Sequence, residues 1–446
     1  MVTLNCYSFA AKSVSMLRKR LYLFALAIFL SQFIHAQFLM DMLDTTKEAG
    51  KGMLGIYKKF DHLRLGGYIQ PQFQMVESKG IKSFEGGDYV ANVSNRFMFR
   101  RSRIRIDYVH TNNLKEPGVQ MVFQFDANER AFTVRDVWGR IFENKFQLFS
   151  FTTGMFARPF GYEVNLSSSD RESPERGRMS QTLMKSERDL GAMVSFDVRK
   201  KGHRLKYLKM DLGFFNGQGI NAPDDFDNKK DLIGRIALKP YNLSQKVSLT
   251  AGTSLLYGGL LQNTKYVFST AEDGGIKKQW LDSSARNLGQ YSPRRYYGVD
   301  AQVKIKNKKG VTEFRAEYLT GIQSGTSNSS ETPVALATGS NGFYKRNFNG
   351  AYFYFIQHLF SLKHQLVVKY DWYDPNTKVK GNEIGPGFTA ADIHYNTLNI
   401  GYLYHVSDQT KLVLFYGMVK NEATALAGFN SDVKDDVLTC RLQFRF

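Results

Sequence analysis

Beyond Ile34, no stretch of this chain is apolar for long enough to form a membrane helix. What recurs is alternation between apolar and polar residues, in runs of about ten, broken by polar turns that contain glycine. Leu63, Leu65, Ile69, Phe73 and Met75 alternate with Arg64, Tyr68, Gln70, Gln72 and Gln74. Val119, Met121, Phe123 and Phe125 alternate with Gln120, Gln124 and Asp126. The pattern returns in Leu190–Val198, Tyr297–Lys306 and Leu398–Val406, giving about sixteen segments in all. A period of two belongs to strands, because successive side chains point to opposite faces. Each strand therefore has one apolar and one polar face. In a soluble sheet the apolar face is the core; in a membrane barrel it is the outside.

Composition narrows the choice. The 446 residues suffice for two or three soluble domains or for one large barrel. Aromatic residues make up 14% of the chain, with 35 Phe and 24 Tyr, and both strands and membrane interfaces favour them. A mean hydropathy of −0.35 argues against a helical membrane protein.

The N-terminus has the layout of an export signal. "MLRKR" (Met16 to Arg20) is basic, Leu21–Ile34 is apolar, and Ala36 precedes a cleavage point before Gln37. The apolar run is shorter than the ~20 residues a bilayer span needs. Met16 would open a conventional signal peptide, so residues before it read as an over-extended start. Residues 1–36 are thus expected to be removed. Residues 37–61 are expected to form a short amphipathic leader on the periplasmic side or at the pore mouth, and residues 62–446 the barrel domain. Removing Lys12, Arg18, Lys19 and Arg20 still leaves most of the net charge of +19. A basic excess can serve nucleic acid, an acidic surface or an anionic solute, and export argues against nucleic acid. With Cys6 gone, Cys440 is alone, so neither a disulfide nor a cysteine metal site is expected.

The connections are unequal. "KNKKG" (Lys306 to Gly310) and "SDQT" (Ser407 to Thr410) are short, while 162–187, 260–293, 324–348 and 375–393 are long. Short turns at one end and long loops at the other suit an outer-membrane barrel. In the final segment, Leu438, Cys440, Leu442, Phe444 and Phe446 share one face, and Thr439, Arg441, Gln443 and Arg445 the other. A closing strand that ends in an aromatic residue is similar to the terminal signature of bacterial outer-membrane barrels.

Several pieces, in order, resemble the phosphate-selective porin O and P family. They are "LRLGGYIQPQF" (63–73), "RFMFRRSRIRI" (96–106), "FTTGMFARPFG" (151–161), "RESPERGRMSQTLMKSERDLGAMV" (171–194) and "GFFNGQGINAPDDFDNKKDLIGRIALKP" (213–240). The resemblance implies an all-β, transmembrane antiparallel barrel of sixteen strands in the bacterial outer membrane, often a homotrimer. It also implies passive diffusion of small anions, phosphate or polyphosphate among them, along basic side chains and an arginine-bearing loop folded inward. Lipid and lipopolysaccharide are then the surroundings, and no cofactor is expected.

The residues themselves suggest where an anion would travel. Inward side chains set the field of a pore. Arg keeps its charge and offers a planar fork to a phosphate. Arg101, Arg103 and Arg105 recur at every second position, roughly 7 Å apart along a strand. Arg441 and Arg445 repeat the pattern at the end, and phase also sends Arg140, Lys304, Lys306, Arg315 and Lys369 inward. If segment 162–187 folds into the pore, Arg171, Arg176, Arg178 and Lys185 reach the constriction, with Arg158 and Arg188 beside it. Phase also turns Asp107, Asp126, Asp189, Asp197, Asp300, Glu313, Glu317 and Asp371 inward, so part of the ladder is expected to be paired. A general or sugar-permeable pore with weak ion preference, or a barrel acting as a structural component of a surface complex, are the rival readings.

Catalytic readings have little support. "GFFNGQG" closes a strand with no βαβ unit after it, and the eight His show no H-E-x-x-H spacing. "SSSDRES" supplies Ser without a base at any telling spacing, so an outer-membrane lipase is the weak catalytic alternative. "DDFDN" (Asp224 to Asn228) offers oxygens to a divalent cation, yet an Asp-rich outer loop is more simply solvated.

Overall fold

The alternating segments become the staves of a closed wall. The computed structural model describes residues 62–112 and 116–446, with a compact unit over Arg64–Phe446. The expected signal peptide and leader lie outside the described residues. The strands are β1 (Leu63–Val76), β2 (Asn95–Thr111), β3 (Pro117–Ala127), β4 (Phe132–Phe142), β5 (Phe149–Ala157), β6 (Arg188–Asp197), β7 (Leu208–Phe215), β8 (Asp231–Asn242) and β9 (Val247–Leu261). They continue as β10 (Val267–Asp273), β11 (Ile276–Asp282), β12 (Tyr291–Asn307), β13 (Gly310–Gly325), β14 (Phe343–His358), β15 (His364–Asp374), β16 (Tyr395–His405), β17 (Thr410–Asn421) and β18 (Val437–Arg445).

Sixteen of these form an antiparallel barrel, each paired with its neighbours in sequence except that β9 pairs with β12. β10 and β11 stand outside the ring as a hairpin, attached by the parallel pairing of Val267–Ser269 with Phe343–Lys345. Segment 260–293, expected as a long connection, thus carries strands of its own. The ring closes where β1 meets β18, with Gln72 opposite Arg441 and Val76 opposite Val437. Gly67 and Phe446 complete the seam by exchanging backbone hydrogen bonds at 3.0 and 3.2 Å. Only glycine fits here: a Cβ on Gly67 would lie 2.5 Å from the Arg103 carbonyl and 2.6 Å from the Phe446 ring.

Side-chain phase fixes inside and outside. Along β18, Thr439, Arg441 and Gln443 are buried in the interior, while Leu438 and Phe444 are exposed on the outer surface. The same holds on β1 and β16, so the outer wall is an apolar band of the kind that faces lipid. The connections 143–148, 243–246 and 406–409 gather at the end that also holds Phe446, called here the turn end. The opposite, loop end carries 77–94, 158–187, 262–290, 326–342, 375–394 and 422–436.

The interior is filled unevenly. Loop 158–187 folds into the barrel and lays Phe160, Val164, Met179, Leu183 and Met184 against Tyr296, Leu319, Phe348 and Tyr352 of the wall. Each of these buried apolar side chains contributes roughly 1.5–3 kcal/mol. The loop therefore seals the lumen on the β12–β15 side. Open space remains against the wall made by β2 to β6.

Candidate functional site

The loop is pinned before it can shape a passage. Glu163 accepts from the Gly177 amide at 3.0 Å, from Ser180 at 2.6 Å and from Tyr354 at 3.0 Å, and faces Lys369 at 3.3 Å. Burial alone would raise its pKa, but Lys369 and the Ser180 hydroxyl hold it below the ordinary carboxylate value. From the wall, Glu317 accepts the amides of Tyr162 and Glu163 at 3.1 and 3.0 Å, and Arg315 forks onto Glu172 at 2.6 and 2.9 Å. Lys411 donates to the carbonyls of Ser169 and Arg171.

Two loop carboxylates then gather arginines. Glu175 receives Arg100 at 2.8 Å, Arg101 at 2.7 Å and Arg441 at 2.9 Å. Burial pushes its carboxyl up, yet these three guanidinium groups hold it well below the usual range. Glu187 receives Arg176 at 3.1 Å, Arg188 at 2.6 Å and Arg135. The Glu175 hub sets three positive charges around one negative charge, while at Glu187 the same arginines are shared with other acids, Arg188 with Asp136 at 3.2 Å and Arg135 with Asp126 at 3.6 Å. Burial depresses the Arg176 guanidinium far below its usual value, and neighbouring Arg171 and Arg188 depress it further. A second anion at this point would relieve that repulsion.

Local irregularities supply some of these arginines. Arg100 and Arg101 are consecutive, yet both reach Glu175. Phe97 and Phe99 face outward before them and Ile104 after, so alternation slips by one residue. On β4 the pairing skips Arg135, because Val134 opposes Phe125 and Asp136 opposes Gln124. A β-bulge of this kind re-aims a side chain, and here it turns Arg135 inward beside Asp136. Strict period-2 reading places both Arg100 and Arg135 on the lipid face and misses them. A run of consecutive charged residues within a strand, "RR" or "RD", is the signal that could have found them.

Two chambers result. The loop-end chamber, of about 690 Å³, is bounded by Arg100, Arg101, Arg130, Arg135 and Lys185. The turn-end chamber, of about 620 Å³, is bounded by Arg64, Arg105, Arg140, Arg188, Lys209, Arg235 and Arg445. Arg103, Ser168 and Arg176 line both, and so stand where the two chambers adjoin. Arg103 is tied to Asp126 at 2.9 Å and to Ser168 at 3.0 Å.

Of the twelve basic residues expected along the path, eight line a chamber: Arg101, Arg103, Arg105, Arg140, Arg176, Lys185, Arg188 and Arg445. Arg105 pairs with Asp107, Arg140 donates to Thr152 at 2.7 Å beside Trp138, and Arg445 meets Asp170 at 2.8 Å. The other four do not reach either chamber. Arg158 is buried against the carbonyls of Ser186 and Gly217. Arg171 braces its own loop through the Ser173 and Pro174 carbonyls. Arg178 lies over the rings of Phe84 and Tyr395. Arg441 is buried between Gln72, Pro174 and Glu175. Three of the four belong to the loop itself and are spent on holding it in place, and the loop covers the fourth, Arg441. Lys369 and Arg315, inward by phase, are likewise consumed in anchoring it.

The weaker signals resolve as structure. Ser168 is bonded to Tyr68 and Arg103, and Ser173 to Tyr354, so no base stands at either hydroxyl. Within "DDFDN", Asp227 accepts the amides of Lys229 and Leu261, and Asp225 pairs with Lys230.

No family model and no curated protein matches this chain. Solved structures do. The outer membrane channel DcaP of Acinetobacter baumannii aligns over 86% of this chain and 97% of its own, at 12% identity and a TM-score of 0.51. OprB of Pseudomonas putida aligns over 90% of this chain and 98% of its own, at 8% identity and a TM-score of 0.55. At such identities the likeness concerns the fold, which is that of outer-membrane channels.

Proposed function

We propose that this barrel sits in the bacterial outer membrane and lets small anions, phosphate among them, diffuse passively through its lumen. The observation that carries the reading is the charge of the passage: nine basic side chains and four acidic ones line the turn-end chamber. The loop-end chamber has seven basic and five acidic. Water screens such charges over ~8 Å at physiological salt, so an excess concentrated in a narrow chamber acts on whatever enters it. Arginine suits the task, because its fork pairs with two phosphate oxygens while partial neutralisation by neighbouring acids keeps each stop weak. Conduction needs several moderate sites rather than one tight one. In this reading residues 1–36 direct export, residues 37–61 form the leader, and the barrel spans lipid, as a homotrimer if it follows the family it resembles.

The test is the reversal potential of the purified chain in a planar bilayer under a KCl gradient. An anion channel gives a potential on the chloride side; cation selectivity overturns the anion reading and leaves the barrel intact. The pairing of Arg103 with Asp126 and Arg105 with Asp107 favours a second reading, a general pore with weak ion preference. A reversal potential near zero, with neutral sugars entering liposomes freely, would select it.

A further inference from the structure

A third cavity, of about 810 Å³, opens at the loop end between loop 326–342 and β10. Its chemistry differs from that of the chambers below. The charges in its lining are Lys185 and Glu331, and they neutralise each other at 2.7 Å. The rest of its polar wall is hydroxyl and amide, from Thr326, Ser327, Asn328, Thr332, Thr338 and Asn341. Phe268 and Tyr344 add aromatic surface, stacked at 4.3 Å and nearly parallel.

This wall is held in shape. Arg346 is buried, donates to the carbonyls of Thr326 and Ser327 at 2.8 and 2.9 Å, and sets its Nε on Asp392 at 2.8 Å. Thr389 donates to the Ser327 carbonyl at 2.6 Å, and Thr264 to that of Asn341 at 2.8 Å. A preorganised surface loses less on binding than a loose one. The cavity also adjoins the basic loop-end chamber, since Lys185, Asn221 and Glu331 line both.

We infer that the preferred solute is an organic phosphate with a hydroxyl-rich body, such as a sugar phosphate, whose uncharged part docks in this vestibule while its phosphate enters the arginine-lined chamber. The inference rests on the anion-channel reading above. Hydroxyl and amide groups beside aromatic surface suit a ring that is polar at its edge and apolar on its face. Inorganic phosphate carries similar charge and can use only the lower chamber. Charge alone would make the two solutes equal, so any difference between them reports the vestibule.

The experiment is block of chloride current through the full chain in a planar bilayer, with glucose 6-phosphate, inorganic phosphate or glucose added at the loop end. Glucose 6-phosphate is expected to half-block at about one tenth of the phosphate concentration, which corresponds to one decade in affinity. The double variant Asn328→Ala, Thr332→Ala, both in the vestibule loop, should bring the two half-blocking concentrations to within about twofold. Equal block by both phosphates in the unaltered chain overturns the inference, and so does a double variant that weakens both by the same factor. A cation-side reversal potential overturns it together with the anion reading, whereas an anion-side potential with equal block overturns the vestibule alone.

Discussion

Arg105 and Asp107 stand two residues apart on β2, and the Arg105 Nε donates to the Asp107 carboxylate at 2.7 Å. The third rung of the arginine row is therefore neutralised by its own strand. Gln120 of β3 adds a donor to the same carboxylate at 3.2 Å. Replacing Asp107 by Asn would free the guanidinium without altering shape. The chloride-to-potassium permeability ratio should rise, by roughly twofold at low salt and less at 1 M, where screening shortens to ~3 Å. Reversal potentials at two salt concentrations check this.

Glu187 offers a sharper version of the same test. It holds Arg135, Arg176 and Arg188 together where the two chambers adjoin. Glu187→Gln removes one carboxylate from a cluster of three arginines, in which Arg188 keeps Asp136 and Arg135 keeps Asp126. Phosphate should block chloride current at a several-fold lower concentration, while the barrel loses about 1–3 kcal/mol because a buried partner is gone. Paired measurements of block and of urea unfolding in detergent separate the two effects. Unchanged block would show that the hub does not meet the solute.

Lys369 is buried between Glu163 at 3.3 Å and Asp371 at 3.4 Å. Lys369→Met leaves two buried carboxylates uncompensated, a change that costs about 3–5 kcal/mol. Because Glu163 also pins the loop through Gly177 and Ser180, the loop should loosen before the wall does. Single-channel traces of the variant should show larger and noisier conductance, with a lowered unfolding midpoint. A quiet channel of unchanged size would show that the hydrophobic contacts alone hold the loop.

Two loop carboxyls make part of the stability depend on pH. Burial raises Glu85 from 4.5 to about 7, despite the opposing pull of Lys369, and raises Asp435 from 3.8 to about 7, despite Arg178. The folded chain therefore holds these protons more tightly than the unfolded chain does. Their contribution is fully present below about pH 4, and it is lost as the pH climbs to about 7. A Glu85→Gln variant should show a flatter decline in unfolding midpoint between pH 5 and pH 8 than the parent chain. Identical slopes would remove Glu85 from the account.

Gly67 tests the seam. A Cβ there would lie 2.5 Å from the Arg103 carbonyl, so Gly67→Val should prevent β1 from settling beside β2 and β18. The expected outcome is loss of the compact band that a folded barrel gives in unheated gels.

The sequence made the wall legible because burial on one face leaves a period of two, as Gln70, Gln72 and Gln74 inside and Ile69, Phe73 and Met75 on the opposite face illustrate. It hid whatever breaks that period. Arg100 and Arg135 turn inward only because the strands slip, and the adjacent charges of Arg100–Arg101 and Arg135–Asp136 are the one local sign of it. The hairpin of β10 and β11 was hidden for another reason: Val267–Asp273 and Ile276–Asp282 are short, polar and not part of the ring. For the candidate site, phase told which arginines face inward but not which of them the loop would cover. Arg441 is inward and still out of reach, because Glu175, 266 positions away in sequence, closes over it with its loop.

The loop that plugs one side of the lumen gives this barrel two kinds of inner surface. Tyr296, Leu319, Phe348 and Tyr352 behave as the core of a globular protein, where a lost methylene leaves a void. Across the passage, Arg101, Arg105 and Arg140 border open space, where a change of side chain is paid for mostly by solvent. Permeation and durability are thus written on opposite walls. Such a division lets selection retune what passes through without endangering the container, and it marks β2 to β5 as the wall on which an engineer should begin.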